Sequence, residues 1–211
     1  MNSNWINDNN DYLIYIGDAM CSWCYGFSNE LDTIIKNNPN FKLKLIMGGL
    51  RPNSSEKAID MADFLKSHWV EINKRTNQPF SYDILKDANF IYDTEPASRA
   101  IIVARTMNPE IEYDFFKAVQ ISFYRDNNNT NKLETYINIA AKFELDLNTF
   151  KIFFNSDEIK KRTQTDFKLS QQLGIKGFPS LVLKHNGNLT QLSNGYNEAD
   201  NIQAIIEKVL N

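Results

Sequence analysis

The sequence predicts an α/β protein in which a βαβ unit, a long all-helical block and a closing ββα unit follow one another. Three observations carry that reading. Two short buried-strand runs flank a helical stretch near the N-terminus, helical periodicity fills residues 57 to 173, and a strand–turn–strand–helix pattern closes the chain.

Residues 12 to 17, YLIYIG, are β-branched and aromatic and stop at Gly17, the signature of a short buried strand. Phe27, Leu31, Ile34 and Ile35 then recur at helical spacing until Asn37-Asn38-Pro39 ends the pattern. The next run, FKLKLIMGG (41 to 49), alternates apolar residues with lysine, turns fully apolar, and breaks at Gly48-Gly49. Strand, helix and strand in this order imply a parallel pair joined by a right-handed crossover.

In the middle block, Thr94 followed by Pro96 marks a helix start, and the helix-forming run through Arg105 stops at Asn108-Pro109. Phe115, Val119 and Phe123 form one apolar stripe; Leu133, Tyr136, Ile137, Ala140 and Ala141 form another. Strand character returns at SLVLKH (180 to 185), where Asn186-Gly187 supplies a hairpin turn into LTQL (189 to 192). A last helix carries Ile202, Ile205, Ile206, Val209 and Leu210 on one face. No Pro- or Ser-rich linker separates the blocks, so the helical part is expected to dock on the sheet rather than hang from it.

Composition removes several function classes. With 211 residues, 42% of them hydrophobic, the chain buries a full core. A net charge of −3, and a densest basic run of only Lys160-Lys161-Arg162, leave no field to attract a phosphate backbone, so no nucleic-acid partner is expected. Aliphatic stretches such as residues 100 to 104 fall far short of the roughly 20 residues of a membrane span, so no membrane partner is expected either. The start, MNSNWINDNNDY, has neither a basic nor an apolar targeting region and predicts a cytoplasmic protein. Asparagine runs such as residues 127 to 129 read as loops.

Both cysteines sit in one stretch, GDAMCSWCYGF (17 to 27), three residues apart. As a structural staple the pair is poor, because closing a loop of about four residues constrains the unfolded chain by only roughly 2 kcal/mol, against nearly 5 for about a hundred. A zinc site needs four ligands, and beyond the thiols the chain offers His68 and His185, far apart and without finger spacing. No metal is therefore expected; His68 reads as a partly buried surface residue and His185 as solvent-facing.

A redox couple gives each position a task. A strand ending at Gly17 hands the chain to a helix whose first turn is expected to hold Cys21 to Cys24, with unpaired N–H groups stabilising a thiolate on the outer sulfur. Cys21 is then the attacking sulfur, and Cys24, one turn in on the same face, resolves the mixed disulfide. Ser22 offers only a neutral hydroxyl, which predicts a less extreme thiolate than in strongly oxidising enzymes. Trp23 is expected as a partly exposed wall beside the sulfur.

Downstream, GIKGFPSLVL (174 to 183) places Pro179 at the opening of the strand expected to pair beside the one leading into Cys21. Strand, CxxC helix and strand, followed by this proline, a hairpin and a helix, resemble the thioredoxin fold, and a helical block inserted between its halves resembles the DsbA family. More narrowly, GDAMCSWCYGF, IMGGLRP (46 to 52) and DTEPASRAIIVAR (93 to 105) resemble the intracellular, FrnE-like group of that family, described as predicted protein-disulfide isomerases. The resemblance spans nearly the whole chain. It divides the chain into a thioredoxin-like part, residues 1 to 52 and 174 to 211, and a helical insertion, residues 53 to 173.

The resemblance implies roles residue by residue. Cys21 takes the nucleophile position, Cys24 the resolving position, and Pro179 that of a cis-proline which turns the Phe178 backbone toward an extended substrate. Phe178 departs from the small or β-branched residue of DsbA itself. Tyr15 stands where thioredoxin and DsbA carry a buried carboxylate, so another group must handle the proton of Cys24. Arg51 and Arg99, inside the family-like stretches, are expected either near the thiolate or in a salt bridge between insertion and sheet. The implied function is thiol–disulfide exchange on cysteine-containing proteins or peptides, supported by a thiol reductant or other redox partner. No cofactor is expected beyond the Cys21–Cys24 couple, with glutathione as a candidate co-substrate. A cytosolic poise favours the reduced dithiol and hence reductase or isomerase work.

Two alternatives share the architecture. Glutathione-dependent transferases of the kappa class and hydroxychromene-carboxylate isomerases usually carry serine in place of the first cysteine, and the intact CSWC argues against them. A holdase-like chaperone would use the groove between insertion and sheet.

Overall fold

The computed structural model describes residues 8–211; the part of the targeting-signal reading that falls on residues 1–7 lies outside it. Strands β1 (Tyr12–Gly17), β2 (Lys42–Met47), β3 (Ser180–His185) and β4 (Asn188–Asn194) form one sheet in the order β2-β1-β3-β4. β1 and β2 are parallel, with Tyr12 opposite Lys42 and Gly17 opposite Met47, as the βαβ reading requires. β3 runs antiparallel to β1 and β4, with Ile16 opposite Ser180, which brings residue 179 to the end of the strand that leads into Cys21.

β1 sits at the centre of the sheet and is buried along its whole length, which explains its unbroken apolar sequence. Alternate residues face opposite ways. Leu13 and Tyr15 join the larger core with Phe27, Trp69, Phe116 and Ile202, while Tyr12, Ile14 and Ile16 meet Val182, Leu169 and Phe178 on the other face.

Helices α1 (Ser22–Gly26) and α2 (Ser28–Asn37) follow β1. The apolar spacing predicts one helix here, but a break at Phe27 divides it. Gly26 marks the crowding: a Cβ there would lie 2.8 Å from Ile72 Cγ2 in the neighbouring helix. Between β2 and β3 come α3 (Ala62–Thr76), α4 (Glu95–Met107), α5 (Glu112–Tyr124), α6 (Leu133–Lys142), α7 (Leu147–Asn155) and α8 (Asp157–Gln172), with short 3₁₀ turns. One antiparallel bridge, Lys57 to Ile91, departs from the purely helical expectation. Trp69, Phe123 and Tyr124 from this block pack into the same core as Tyr15 and Phe27, so the block is docked. α9 (Ala199–Leu210) closes the chain against α2, burying Ile202 and Ile206.

A buried ion cluster secures the docking. Arg105 on α4 donates to Asp166 of α8 at 2.9 Å, to Glu112 at the start of α5, and to the Leu45 carbonyl of β2 at 2.6 Å. Asp166 also accepts from the Met47 backbone N–H at 3.1 Å. Among the described residues neither Arg51 nor Arg99 makes the salt bridge between insertion and sheet expected of them; the ion pairs of Arg105 stay within the helical block, and its link to the sheet is the hydrogen bond to the Leu45 carbonyl. Arg51 pairs with Glu56 in its own loop, and Arg99 pairs with Glu95 at 3.0 Å within α4 while lying over the Phe154 ring.

Candidate active site

The turn from β1 into α1 is built around Asp18. Its carboxylate is fully buried and accepts from Met20 N–H at 2.9 Å and from Leu50 N–H at 2.7 Å. Asp18 thus joins the turn to the loop after β2. Burial raises its carboxyl above the ordinary aspartate range despite those donors.

Cys21 follows as the N-cap of α1, with extended backbone (φ −87°, ψ 116°) and its N–H bonded to the Asp18 carbonyl at 3.0 Å. The first-turn position expected for it is thus corrected by one residue: it caps the helix, because the Asp18 turn holds its backbone extended. Both cysteines are free thiols. Cys21 keeps 6% of its surface exposed and Cys24 none, so the outer and inner sulfurs are distinct.

Cys21 Sγ lies 3.7 Å from the Phe178 carbonyl oxygen, a thiol-to-carbonyl contact across 157 residues of chain. The Phe178–Pro179 peptide is cis. The Phe178 ring packs onto the bare backbone of Gly48, where a Cβ would come within 2.3 Å of it, while the Phe178 carbonyl is the atom in contact with Cys21. The Pro179 carbonyl accepts from Gly195 N–H at 2.7 Å, which draws the end of β4 and Tyr196 to the same rim.

Cys24 lies behind. Burial first, then the hydrogen bond and charge of Cys21, push its thiol well above the ordinary range, while the Asp18 N–H and the Tyr15 hydroxyl pull the other way. Tyr15, itself fully buried, occupies the interior beside Cys24 and packs edge-on against Phe116 at 5.8 Å between ring centroids.

Ser22 is half-buried at the first position of α1 and makes no hydrogen bond through its hydroxyl among the described residues. Trp23 is half-buried, its ring 5.5 Å from that of Tyr196. His68 is half-buried and lies against Phe64. His185, expected to face solvent, instead sits 2.7 Å from Asp11 and is half-buried, because Asp11 before β1 and the end of β3 meet at one edge. Among the described residues no cluster of three His, Cys, Asp or Glu side chains is arranged to hold a metal ion. No helix of the described residues is long and apolar enough to cross a membrane.

The family model of the DSBA-like thioredoxin domain matches residues 14–207. The chain belongs to the DSBA-like thioredoxin domain family.

Solved structures agree with the assignment. A proposed protein disulfide isomerase from Nitrosomonas europaea is 30% identical, with 95% of this chain and 98% of that chain covered and a TM-score of 0.86. The cytosolic disulfide reductase DsbM from Pseudomonas aeruginosa is 22% identical over 94% of this chain and 98% of that one, with a TM-score of 0.78. A further structure of DsbM contains GSH and superposes with a TM-score of 0.76 at 21% identity over the same shares. No curated protein sequence matches the chain. The family and the fold are those of thiol–disulfide oxidoreductases.

Within this DSBA-like domain the sequence reading missed three contributors to the site. Asp18 stands inside the quoted CxxC stretch, and a lone carboxylate between a buried strand and a helix start was a legible signal of a turn-forming group. Tyr196 and Arg75 carried no local signal, since both reach the rim only through the packing of the DSBA-like sheet against its insertion.

Proposed function

We propose that this DSBA-like protein is a cytoplasmic thiol–disulfide oxidoreductase acting on cysteines of proteins or peptides as a reductase or isomerase. The observation that supports it best is the 3.7 Å contact of Cys21 Sγ with the Phe178 carbonyl, in front of a fully buried Cys24. An extended substrate pairing with the Phe178 backbone in strand fashion would set its own sulfur against Cys21.

In the reductive direction the Cys21 thiolate attacks a substrate disulfide. A Cys21–substrate bond forms, the substrate S–S bond breaks, and one substrate sulfur leaves as a thiolate that takes up a proton. Cys24 then loses its proton and attacks Cys21 Sγ, releasing the second substrate sulfur and forming the Cys21–Cys24 disulfide. Two electrons have passed from the enzyme dithiol to the substrate. An external thiol reductant, glutathione being one, returns them as two thiols become one disulfide. If the substrate instead reattacks the mixed disulfide with another of its own cysteines, the outcome is isomerisation with no net electron transfer. The 30% identical relative, itself a proposed disulfide isomerase, lends weight to that branch.

Insulin reduction and refolding of scrambled ribonuclease test the proposal. Both rates are expected to vanish in Cys21→Ser; a Cys21→Ser protein as active as wild type overturns it.

A further inference from the structure

Arg75 lies near the C-terminal end of α3, in the inserted block, yet it reaches the rim of the CxxC turn. Its guanidinium carbon sits 4.5 Å from the centre of the Tyr196 ring and 5.8 Å from that of Trp23. Trp23 is the residue just before Cys24, and Tyr196 follows Gly195, whose N–H holds the Pro179 carbonyl. The three side chains therefore come from three separate parts of the chain and meet at the CxxC turn, two residues from Cys21 in sequence.

The cation is not neutralised there. Arg75 is exposed and forms no ion pair among the described residues, although Glu71 stands one helical turn earlier. The nearby Glu30 carboxylate is engaged elsewhere, accepting from Ala199 N–H at 2.8 Å and from the Tyr196 hydroxyl at 3.4 Å. A guanidinium lying over aromatic faces is held by cation–π attraction while its N–H edge stays free, and that edge matches a carboxylate in bidentate fashion. A carboxylate one or two residues from the substrate cysteine lies about 3.5–7 Å further along an extended chain, so a partner joined to Cys21 carries its acid toward the stack.

We infer that Trp23, Arg75 and Tyr196 form a carboxylate-binding subsite beside Cys21, which selects disulfide partners bearing an acidic group close to sulfur. The inference rests on the exchange function proposed above and names its substrate class. A small acidic thiol such as glutathione and an acidic residue in a peptide share this chemistry.

Two experimental arms separate these sources. In one, reduction of glutathione disulfide is compared with that of its tetraethyl ester, in which all the carboxylates are blocked. In the other, two peptide disulfides differ only in Glu or Gln beside the cysteine. Wild type is expected to prefer the carboxylate form in at least one arm, with a preference that weakens as salt rises. Arg75→Gln is expected to lower that kcat/KM ratio about tenfold, and Arg75→Lys to fall between, since it keeps charge without the planar edge. The ratio is internal to each variant, so a partial folding defect does not alter it, and the salt dependence of wild type tests the subsite without any variant. Equal rates for the paired substrates in wild type, or a preference that survives Arg75→Gln, overturn the subsite alone. Failure of wild type to reduce any of the four disulfides overturns the exchange function and the subsite with it.

Discussion

Cys24 sits one helical turn behind Cys21, yet Cys21 keeps some exposed surface and Cys24 keeps none. Burial holds the Cys24 thiol protonated well above the ordinary thiol range. Because only thiolates alkylate, iodoacetamide at neutral pH is expected to label Cys21 alone, giving a single adduct by mass spectrometry. Equal labelling of Cys24 in the folded protein would contradict this asymmetry.

Tyr15 is fully buried beside Cys24, and its hydroxyl pulls the Cys24 thiol down against the effect of burial. When Cys24 loses its proton, that hydroxyl becomes a donor to a buried thiolate, a class of bond worth about 1.5–3 kcal/mol. Tyr15→Phe removes it and is expected to slow resolution roughly tenfold or more. The visible consequence is accumulation of the Cys21–substrate mixed disulfide after acid quenching. Unchanged accumulation would show that Tyr15 is only a packing residue.

Asp18 supplies a pH test. Its carboxyl is raised in the folded protein by burial, so the folded chain keeps this proton to higher pH than the unfolded chain, whose aspartate titrates near about 3.9. Its contribution to stability is therefore full below that value and is lost as pH rises through the raised folded value. Asp18→Asn does not ionise. The difference in Tm, variant minus wild type, is expected to increase with pH across this window and then level off, on top of a constant loss from the displaced Met20 or Leu50 hydrogen bond. A difference independent of pH would refute the assignment.

Arg105 serves two buried carboxylates and a strand carbonyl at once. Removing it leaves Asp166 and Glu112 buried without their cation, a class of change that costs about 3–5 kcal/mol. Arg105→Ala is expected to lower the urea midpoint accordingly. A loss below about 1 kcal/mol would mean that the cluster is hydrated once the arginine is gone.

Much of the architecture was legible in the chain because it rests on short-range pattern. YLIYIG reads as a doubly buried strand, and Asn186-Gly187 as a hairpin, from residue type alone, and the sheet contains both. Cys21, Cys24 and Pro179 were legible through motif and resemblance. Less legible was the break at Phe27: the apolar stripe from Phe27 to Ile35 continues through it, and what divides the helix is the close approach of α3 at Gly26. The tie between insertion and sheet expected of Arg51 or Arg99 is made by Arg105 instead, as a hydrogen bond to the Leu45 carbonyl, for a similar reason. All three arginines look alike in sequence, and only the packing of α4 on α8, which itself lies against β2, decides which is buried with carboxylates.

By itself, then, the sequence determined the order of strands and helices, the thiol pair at the end of a central strand, and the proline that opens its neighbour, because periodicity and turn chemistry act over a few residues. Tertiary structure alone decided which sulfur is sealed, which oxygen faces the other, and which side chains of the inserted helices reach the rim. Those outcomes depend on burial and on contacts between segments as far apart as Cys21 and Phe178, and no local pattern encodes the distance between them.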